Sequence, residues 1–196
     1  ENGRQVLILV PEIALTTQLI ARFRAAFSNN VAILHSGLTN NVRVMHWQKV
    51  ESQAVQIIIG TRSAVFAPVK NLGLIILDEE HEAAYKQEET PRYHARDVAC
   101  WRAARHNAAV VLGSATPSLE SWKKAEQGLY TLLNLSNRIF TPGVTIELAD
   151  MRQELAAGNR AMFSRSLIDA LNQVLNRGEQ AILFLNRRGV APTLLC

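Results

Sequence analysis

The chain has 196 residues, of which 48% are apolar and 19% charged, and a net charge of +4. That length supports one sizeable core, or one lobe and the start of another, and the composition excludes a disordered or fibrous chain. No apolar run reaches the roughly 18 residues needed to span a bilayer, Glu1-Asn2-Gly3-Arg4 lacks a signal-peptide layout, and Cys100 and Cys196 make no disulfide framework, so a cytoplasmic protein with no membrane partner is expected.

Short β-branched runs at 6–10, 31–34, 55–59, 72–77 and 109–112 alternate with helical spacing, as in Ile20, Phe23 and Phe27 or in 95–105 with Val98 and Trp101. Runs apolar nearly throughout predict strands covered on both faces of a parallel sheet, hence an α/β, doubly wound, three-layer fold. After Leu135, the stretch 136–143 reads as a turn or linker. Beyond it a strand is expected over 145–148 and a polar stretch over 152–160. A helix follows, with Leu167, Ile168, Leu171, Val174 and Leu175 on one stripe. Ser164 or Ser166 would cap that helix, Gly178 would end it, and a buried strand is expected over 181–185. The chain thus divides into a lobe at 1–138, a linker and second-lobe start at 139–163, and the beginning of that lobe at 164–196. One strand and one helix cannot close a sheet, so the second lobe reads as cut short.

In doubly wound folds ligands bind outside the carboxyl ends of the strands, where this chain concentrates polar residues. Leu77 leads into Asp78-Glu79-Glu80-His81, Val10 into Pro11-Glu12 and on to Thr16, Ile59 into Gly60-Thr61-Arg62-Ser63, and Leu112 into Gly113-Ser114-Ala115-Thr116-Pro117-Ser118. Adjacent carboxylates after a buried strand suit nucleotide hydrolysis: one holds Mg²⁺ and the next polarises the attacking water. Hydroxyls and N–H groups at helix N-termini bind phosphate, although each such motif is by itself equally a helix cap. Tyr85, Tyr93 and His94 alternate with Lys86, Arg92 and Arg96, a mixture that suits single strands because bases stack on rings while phosphates meet charge. His35 has no partner at metal-ligand spacing, and Cys100 reads as a small core residue.

Together these motifs resemble the superfamily 2 DEAH-type helicases, with Asp78 to His81 as motif II and Gly113 to Ser118 as motif III. Pro11 to Thr16 and Gly60 to Phe66 resemble motifs Ia and Ib of one branch, the primosomal protein N′ family of bacterial replication-restart helicases. His35-Ser36-Gly37-Leu38, Arg92 to Asp97 and Phe184 to Gly189 extend the likeness over nearly the whole chain. The resemblance implies a RecA-like lobe 1 lacking its first, P-loop strand, plus the start of a second RecA-like lobe. It implies 3′→5′ DNA unwinding driven by ATP with Mg²⁺, replication restart at stalled forks, and forked or single-stranded DNA, single-strand-binding protein and primosome components as partners. By the same resemblance Asp78 holds Mg²⁺ and Glu79 handles the water, while His81, Ser114 and Thr116 couple nucleotide state to lobe movement. DNA contacts fall to Pro11, Glu12, Thr16, Thr61, Arg62, Tyr85, Lys86, Arg92, Tyr93 and His94. Cys196 takes the place of the first Zn²⁺ ligand of the family's Cys-rich insertion, a site this stretch alone cannot complete.

The chain departs from the family pattern in having no Gly-Lys dipeptide, hence no phosphate-cradling loop, and no arginine motif of the later helicase segments. It is therefore expected to be an internal piece, inactive alone and marginally stable where sheet edges are uncovered. Two other readings stay open: a metal-dependent phosphoesterase or nuclease using Asp78, Glu79, His81 and His35, and a non-catalytic nucleic-acid-binding module.

Overall fold

A computed structural model of the chain describes residues 3–136 and 145–184. It separates into two compact units, Glu1–Leu133 and Asn134–Cys196.

The first unit is built on five parallel strands: β1 (Gln5–Leu9), β2 (Val31–Leu34), β3 (Ile57–Gly60), β4 (Leu72–Leu77) and, after the two short strands given below, β7 (Ala109–Leu112). They lie in the order β2-β3-β1-β4-β7. Register pairs Ile8 with Ile59 and with Ile76, and Ile76 with Val111. This is the α/β parallel sheet expected from the β-branched runs. Side chains alternate across it as the pleat requires. Leu7, Leu9, Ala32, Leu34 and Ile58 join one core with Leu72, Ile75 and Leu77, while Val10, Val31, Ile33, Ile57 and Ile59 join another on the opposite face.

Helix α1 (Thr17–Phe27) lays Leu19, Ile20 and Phe23 on the second core, and its Thr16 cap accepts the Leu19 N–H at 3.2 Å. Helices α2 (Asn40–Glu51) and α3 (Ala95–His106) serve the first core, through Val50 and through Ala95, Ala99 and Ala103. Alanines four residues apart let α3 approach the sheet closely. Buried Gln5 is fully used: its amide donates to the Val50 and Val55 carbonyls, and its oxygen accepts from the Lys70 and Asn71 N–H groups. Gly60 is a close-approach glycine, since a Cβ there would collide with the Leu34 carbonyl oxygen and with Ala64.

Coverage of the sheet departs from expectation at one edge. Val110 and Leu112 pack on the first core, but Ala109 and Val111 on the other face of β7 are exposed, and Ile76 beside them is only half-buried. Among the described residues no strand pairs with the outer edge of β7. An apolar run therefore predicted a strand correctly without guaranteeing a helix over each face.

Between β4 and α3 the chain forms a two-stranded antiparallel hairpin, β5 (Lys86–Gln87) with β6 (Tyr93–His94). Helix α4 (Leu119–Glu126) follows β7, capped by the Ser118 hydroxyl.

The second unit contains α5 (Met151–Ala156) and α6 (Arg165–Asn176). Ser164 rather than Ser166 caps α6, accepting the Leu167 N–H, and Gly178 takes the positive φ of 69° that ends it. Leu167, Ile168 and Leu175 on the expected stripe are exposed. The strand expected over 145–148 is not formed, and residues 181–184 of the strand expected over 181–185 are not β either. A strand exists only through pairing, and among the described residues of this unit no partner strand is present. Residue 185, most of the linker, the stretch after Phe184 and Cys196 lie outside the described residues.

His46 on α2 gives the first unit a pH dependence. Its Nδ1 accepts the buried Ile33 N–H at 3.1 Å. Burial, then the charges of Lys49, Arg24 and His35, push its pKa below the usual 6.5. The unfolded chain therefore takes up the proton first, and stability is expected to fall as pH drops from about 7 through 6.5 toward the lowered value. One such proton gives a slope of at most about 1.4 kcal/mol per pH unit. Urea midpoints measured from pH 7.5 to 5.5, compared with those of His46→Gln, check this. The variant should show the flatter profile.

Candidate functional site

At the carboxyl end of the sheet β4 stops where the chain needs a sharp turn. Glu79 adopts a φ of 47°, a left-handed conformation uncommon for a residue with a Cβ, and the turn is held on both sides. The Asp78 N–H donates to the Leu9 carbonyl at 2.9 Å, the Gly113 N–H to the Leu77 carbonyl at 2.8 Å, and the Glu80 N–H to the Gly113 carbonyl at 3.0 Å. The loops after β1, β4 and β7 are thus stitched together by backbone bonds. Asp78 is exposed, and its Oδ1 accepts the Glu79 N–H at 3.1 Å.

The histidine three positions on turns toward the neighbouring strand end. His81 Nδ1 lies 2.7 Å from Ser114 Oγ and 3.6 Å from Glu79 Oε2. Ser114 Oγ also accepts the Thr116 N–H at 3.0 Å, shaping the loop after β7. Asp78, Glu79, His81, Ser114 and Thr116, chosen from sequence, therefore occupy one edge. His35 stands apart from them: its Nδ1 accepts the Gly37 N–H at 3.1 Å. Among the described residues no group of three or more His, Cys, Asp or Glu side chains is arranged to hold a metal ion.

Glu80 escaped the sequence reading. Its carboxylate is buried and accepts from the Ser118 N–H at 2.7 Å, the Ser118 hydroxyl at 3.1 Å, the Ser121 hydroxyl at 2.9 Å and Arg96 at 3.1 Å. Burial raises its pKa, but the Ser118 N–H, the Ser121 hydroxyl, Arg96 and the Ser118 hydroxyl outweigh that and hold it below the usual carboxylate value. The signals were the third acid of the run and a serine pair at helix-cap spacing. Nothing local connected them to Arg96.

Tyr85 is a correction. Grouped with aromatics that could stack on bases, it is fully buried, and its hydroxyl donates to the carbonyls of Leu9 at 2.9 Å and Asp78 at 2.6 Å. Burial, then the charges of Asp78, Glu79 and Glu82, push its pKa up. It supports the backbone of Asp78 and offers no ring face to a base. Arg62 is engaged as well, donating to the carbonyls of Ala84 at 3.2 Å and Lys86 at 2.8 Å. It ties the turn Arg62–Phe66 to the turn Ala83–Tyr85.

The remaining candidates have mixed settings. Pro11 and Thr61 are buried; Glu12 is exposed and accepts the Ser36 hydroxyl at 2.5 Å. Pro11, Glu12, Ser36, Thr61 and Arg62 line a small cavity of about 160 Å³. Thr16 serves as a helix cap. Lys86 and Arg92 are exposed on the hairpin, Tyr93 is half-buried with its ring edge-on to Phe66 at 4.9 Å, and the His94 ring caps α3 by accepting the Arg96 N–H. These hairpin residues border an open cleft of about 880 Å³ whose other wall carries His81, Glu80 and Ser118.

The family described as DEAD/DEAH box helicase matches residues 1–125, the stretch that carries the sheet, the acidic turn and the Gly113 to Ser118 loop. The chain belongs to the DEAD/DEAH box helicase family. Within that family its full length is similar to proteins named replication restart protein PriA. Identity is 50% with that of Bacillus subtilis over 198 residues, 48% with that of Synechocystis over 201 and 46% with that of Haemophilus influenzae over 197. All of this chain is covered in each case, against 24%, 24% and 27% of the relative. This DEAD/DEAH chain thus spans about a quarter of the length of the curated relatives it matches.

Proposed function

We propose that the chain is the part of a replication-restart DNA helicase that holds the metal and water side of its ATP site and the first DNA-facing loops. The observation that carries this reading is the pairing of the exposed Asp78-Glu79 turn with the Gly113 to Ser118 loop through His81 and Ser114. A motor must pass the state of its nucleotide to a neighbouring loop, and this bond supports the reading by joining the acidic turn directly to the loop after β7.

The residues fit a Mg²⁺-nucleotide. The exposed Asp78 carboxylate receives the Glu79 N–H and keeps its other lone pairs for a cation, and Mg²⁺ is typically held by one or two carboxylates together with substrate phosphates. Such a metal supplies charge neutralisation at the transferring phosphoryl group. Glu79, fixed by its left-handed turn, orients or deprotonates the water. His81 reads the result and passes it to Ser114 and Thr116. The exposed face of β7, and its outer edge, which is unpaired among the described residues, suit a further strand and helix carrying the phosphate-cradling loop that this sequence does not contain. An arginine finger from elsewhere in the protein would complete the centre.

On this reading Lys86, Arg92, Tyr93 and His94 on the hairpin, with Pro11, Glu12, Thr16, Thr61 and Arg62, face or shape the path of single-stranded or forked DNA, and movement runs 3′→5′. Single-strand-binding protein and primosome components are its partners, Cys196 begins a Zn²⁺ site completed elsewhere, and the setting is the bacterial cytoplasm at the nucleoid. The fragment alone is inactive.

The test measures ATP turnover by the longer protein with and without single-stranded DNA, beside cleavage of that DNA with divalent metal and no ATP. DNA-stimulated turnover without cleavage supports the proposal. Metal-dependent cleavage without turnover replaces it with a phosphoesterase.

A further inference from the structure

Strands β1, β2 and β3 end side by side, and main-chain bonds fix where their loops begin. The Val10 N–H donates to the Gly60 carbonyl at 3.0 Å, and the Thr61 N–H donates to the Leu34 carbonyl at 3.1 Å. The cavity of about 160 Å³ lies at these loops. Arg62 lines it with a buried Nε that has no hydrogen-bond partner, and among the described residues no ion pair includes Arg62. Buried Thr61 begins its turn without a side-chain capping bond. An unbalanced cation beside hydroxyls suits a phosphate oxygen. The same lining nevertheless carries a carboxylate. Glu12 is exposed at the first position of the turn Glu12–Ala14, and it accepts the Ser36 hydroxyl of the loop after β2 at 2.5 Å.

We infer that Glu12 is a latch on the path of the strand: it occupies the Ser36 hydroxyl until a phosphate displaces it, and so weakens the hold of this site on single-stranded DNA. The inference rests on the helicase reading above. A serine hydroxyl has one proton to donate, so the bond to Glu12 denies that proton to a phosphate oxygen. The carboxylate also repels a phosphate approaching Arg62, since like charges brought together at an interface oppose binding. Both effects have the same sign. Glu12 is free to swing because it is exposed, while the strand ends around it are pinned by main-chain bonds. A motor advancing along a strand must release each phosphate it has held. The latch speeds that release by recapturing the Ser36 hydroxyl as the phosphate leaves, and affinity changes within one interface reside mostly in dissociation.

Glu12→Gln in the longer protein tests this, with a fluorescein-labelled oligodeoxythymidine as the probe, at one fixed salt concentration and without nucleotide. The amide keeps the shape of the side chain but removes the repelling charge and the charge-assisted bond to Ser36. The variant is expected to bind the probe about fivefold more tightly, chiefly through slower dissociation, with an unchanged Tm. In a Ser36→Ala background the same substitution is expected to gain only about twofold, because relief of repulsion is then its sole effect. Glu12→Asp, which keeps the charge but falls short of Ser36, guards against misfolding of the first variant and is expected to tighten binding about twofold. Weaker or unaltered binding in both Glu12 variants would overturn the inference, as would a gain of equal size with and without the Ser36 hydroxyl. If the parent protein itself binds no single-stranded DNA, the helicase reading fails first and the inference falls with it.

Discussion

Asp78→Asn in the longer protein is expected to reduce ATP hydrolysis by at least about a thousandfold while leaving the fold intact. On the proposed function, positioning and charge neutralisation at the phosphoryl group supply most of the rate, and a neutral amide at position 78 removes the charge that would hold the cation. The fold survives because Asp78 is exposed and its side chain makes only a local bond to the Glu79 N–H, which the amide oxygen can still accept. The position of the turn depends on main-chain groups, the Asp78 N–H on the Leu9 carbonyl and the Tyr85 hydroxyl on the Asp78 carbonyl, and none of these is altered. Steady-state turnover at saturating ATP and Mg²⁺, beside a thermal melt, separates the two effects. A variant that retains a tenth of the parent rate would remove Asp78 from the metal role.

The largest stability effect is expected at Arg96. Glu80 and Arg96 side chains are only 1% and 7% exposed, so Arg96→Ala leaves a buried carboxylate without its cation. Removing one partner of such a pair costs about 3 to 5 kcal/mol, because the remaining charge is neither solvated nor balanced. The serine hydroxyls and the Ser118 N–H still reach Glu80, which places the expectation toward the lower end of that range. Replacing both residues, as in Glu80→Leu with Arg96→Met, should recover much of the loss, since no charge is then stranded. Acid has the same sign as the single substitution: the lowered pKa of Glu80 means its contribution is full above about 4.5, the ordinary value, and is lost as pH falls below it. Urea unfolding of the single and double variants is the check. A loss under about 1 kcal/mol for Arg96→Ala would show that the pair is not a structural tie.

The sheet was legible because its strands are β-branched runs with polar residues at both ends. β2, β4 and β7 came out over 31–34, 72–77 and 109–112, and β1 and β3 within two residues of expectation. Helix α2 was not legible: its buried positions are His46 and Val50, which form no apolar stripe, so periodicity had nothing to detect. The edge face of β7 and the missing strand over 145–148 share one cause. Sequence shows what a segment can bury but not whether a partner is there to bury it.

The site divides in the same way. Asp78, Glu79, His81 and Ser114 sit at strand ends, where position follows from the order of elements. Tyr85 was misplaced because composition places aromatics and cations together without saying which ring turns inward. The hydroxyl bonds to Leu9 and Asp78 decide that. Glu80 and Arg96 are 16 positions apart, and only the return of α3 along the sheet brings them together.

The central claim is that the Asp78-Glu79 turn hydrolyses nucleotide under the control of DNA. ATP turnover by the longer protein and by its Glu79→Gln variant, each with and without single-stranded DNA, tests it most directly. The account predicts DNA-stimulated turnover in the parent and loss of at least about a hundredfold in the variant, with ATP binding retained. Turnover that ignores DNA, or a variant as active as the parent, would contradict it.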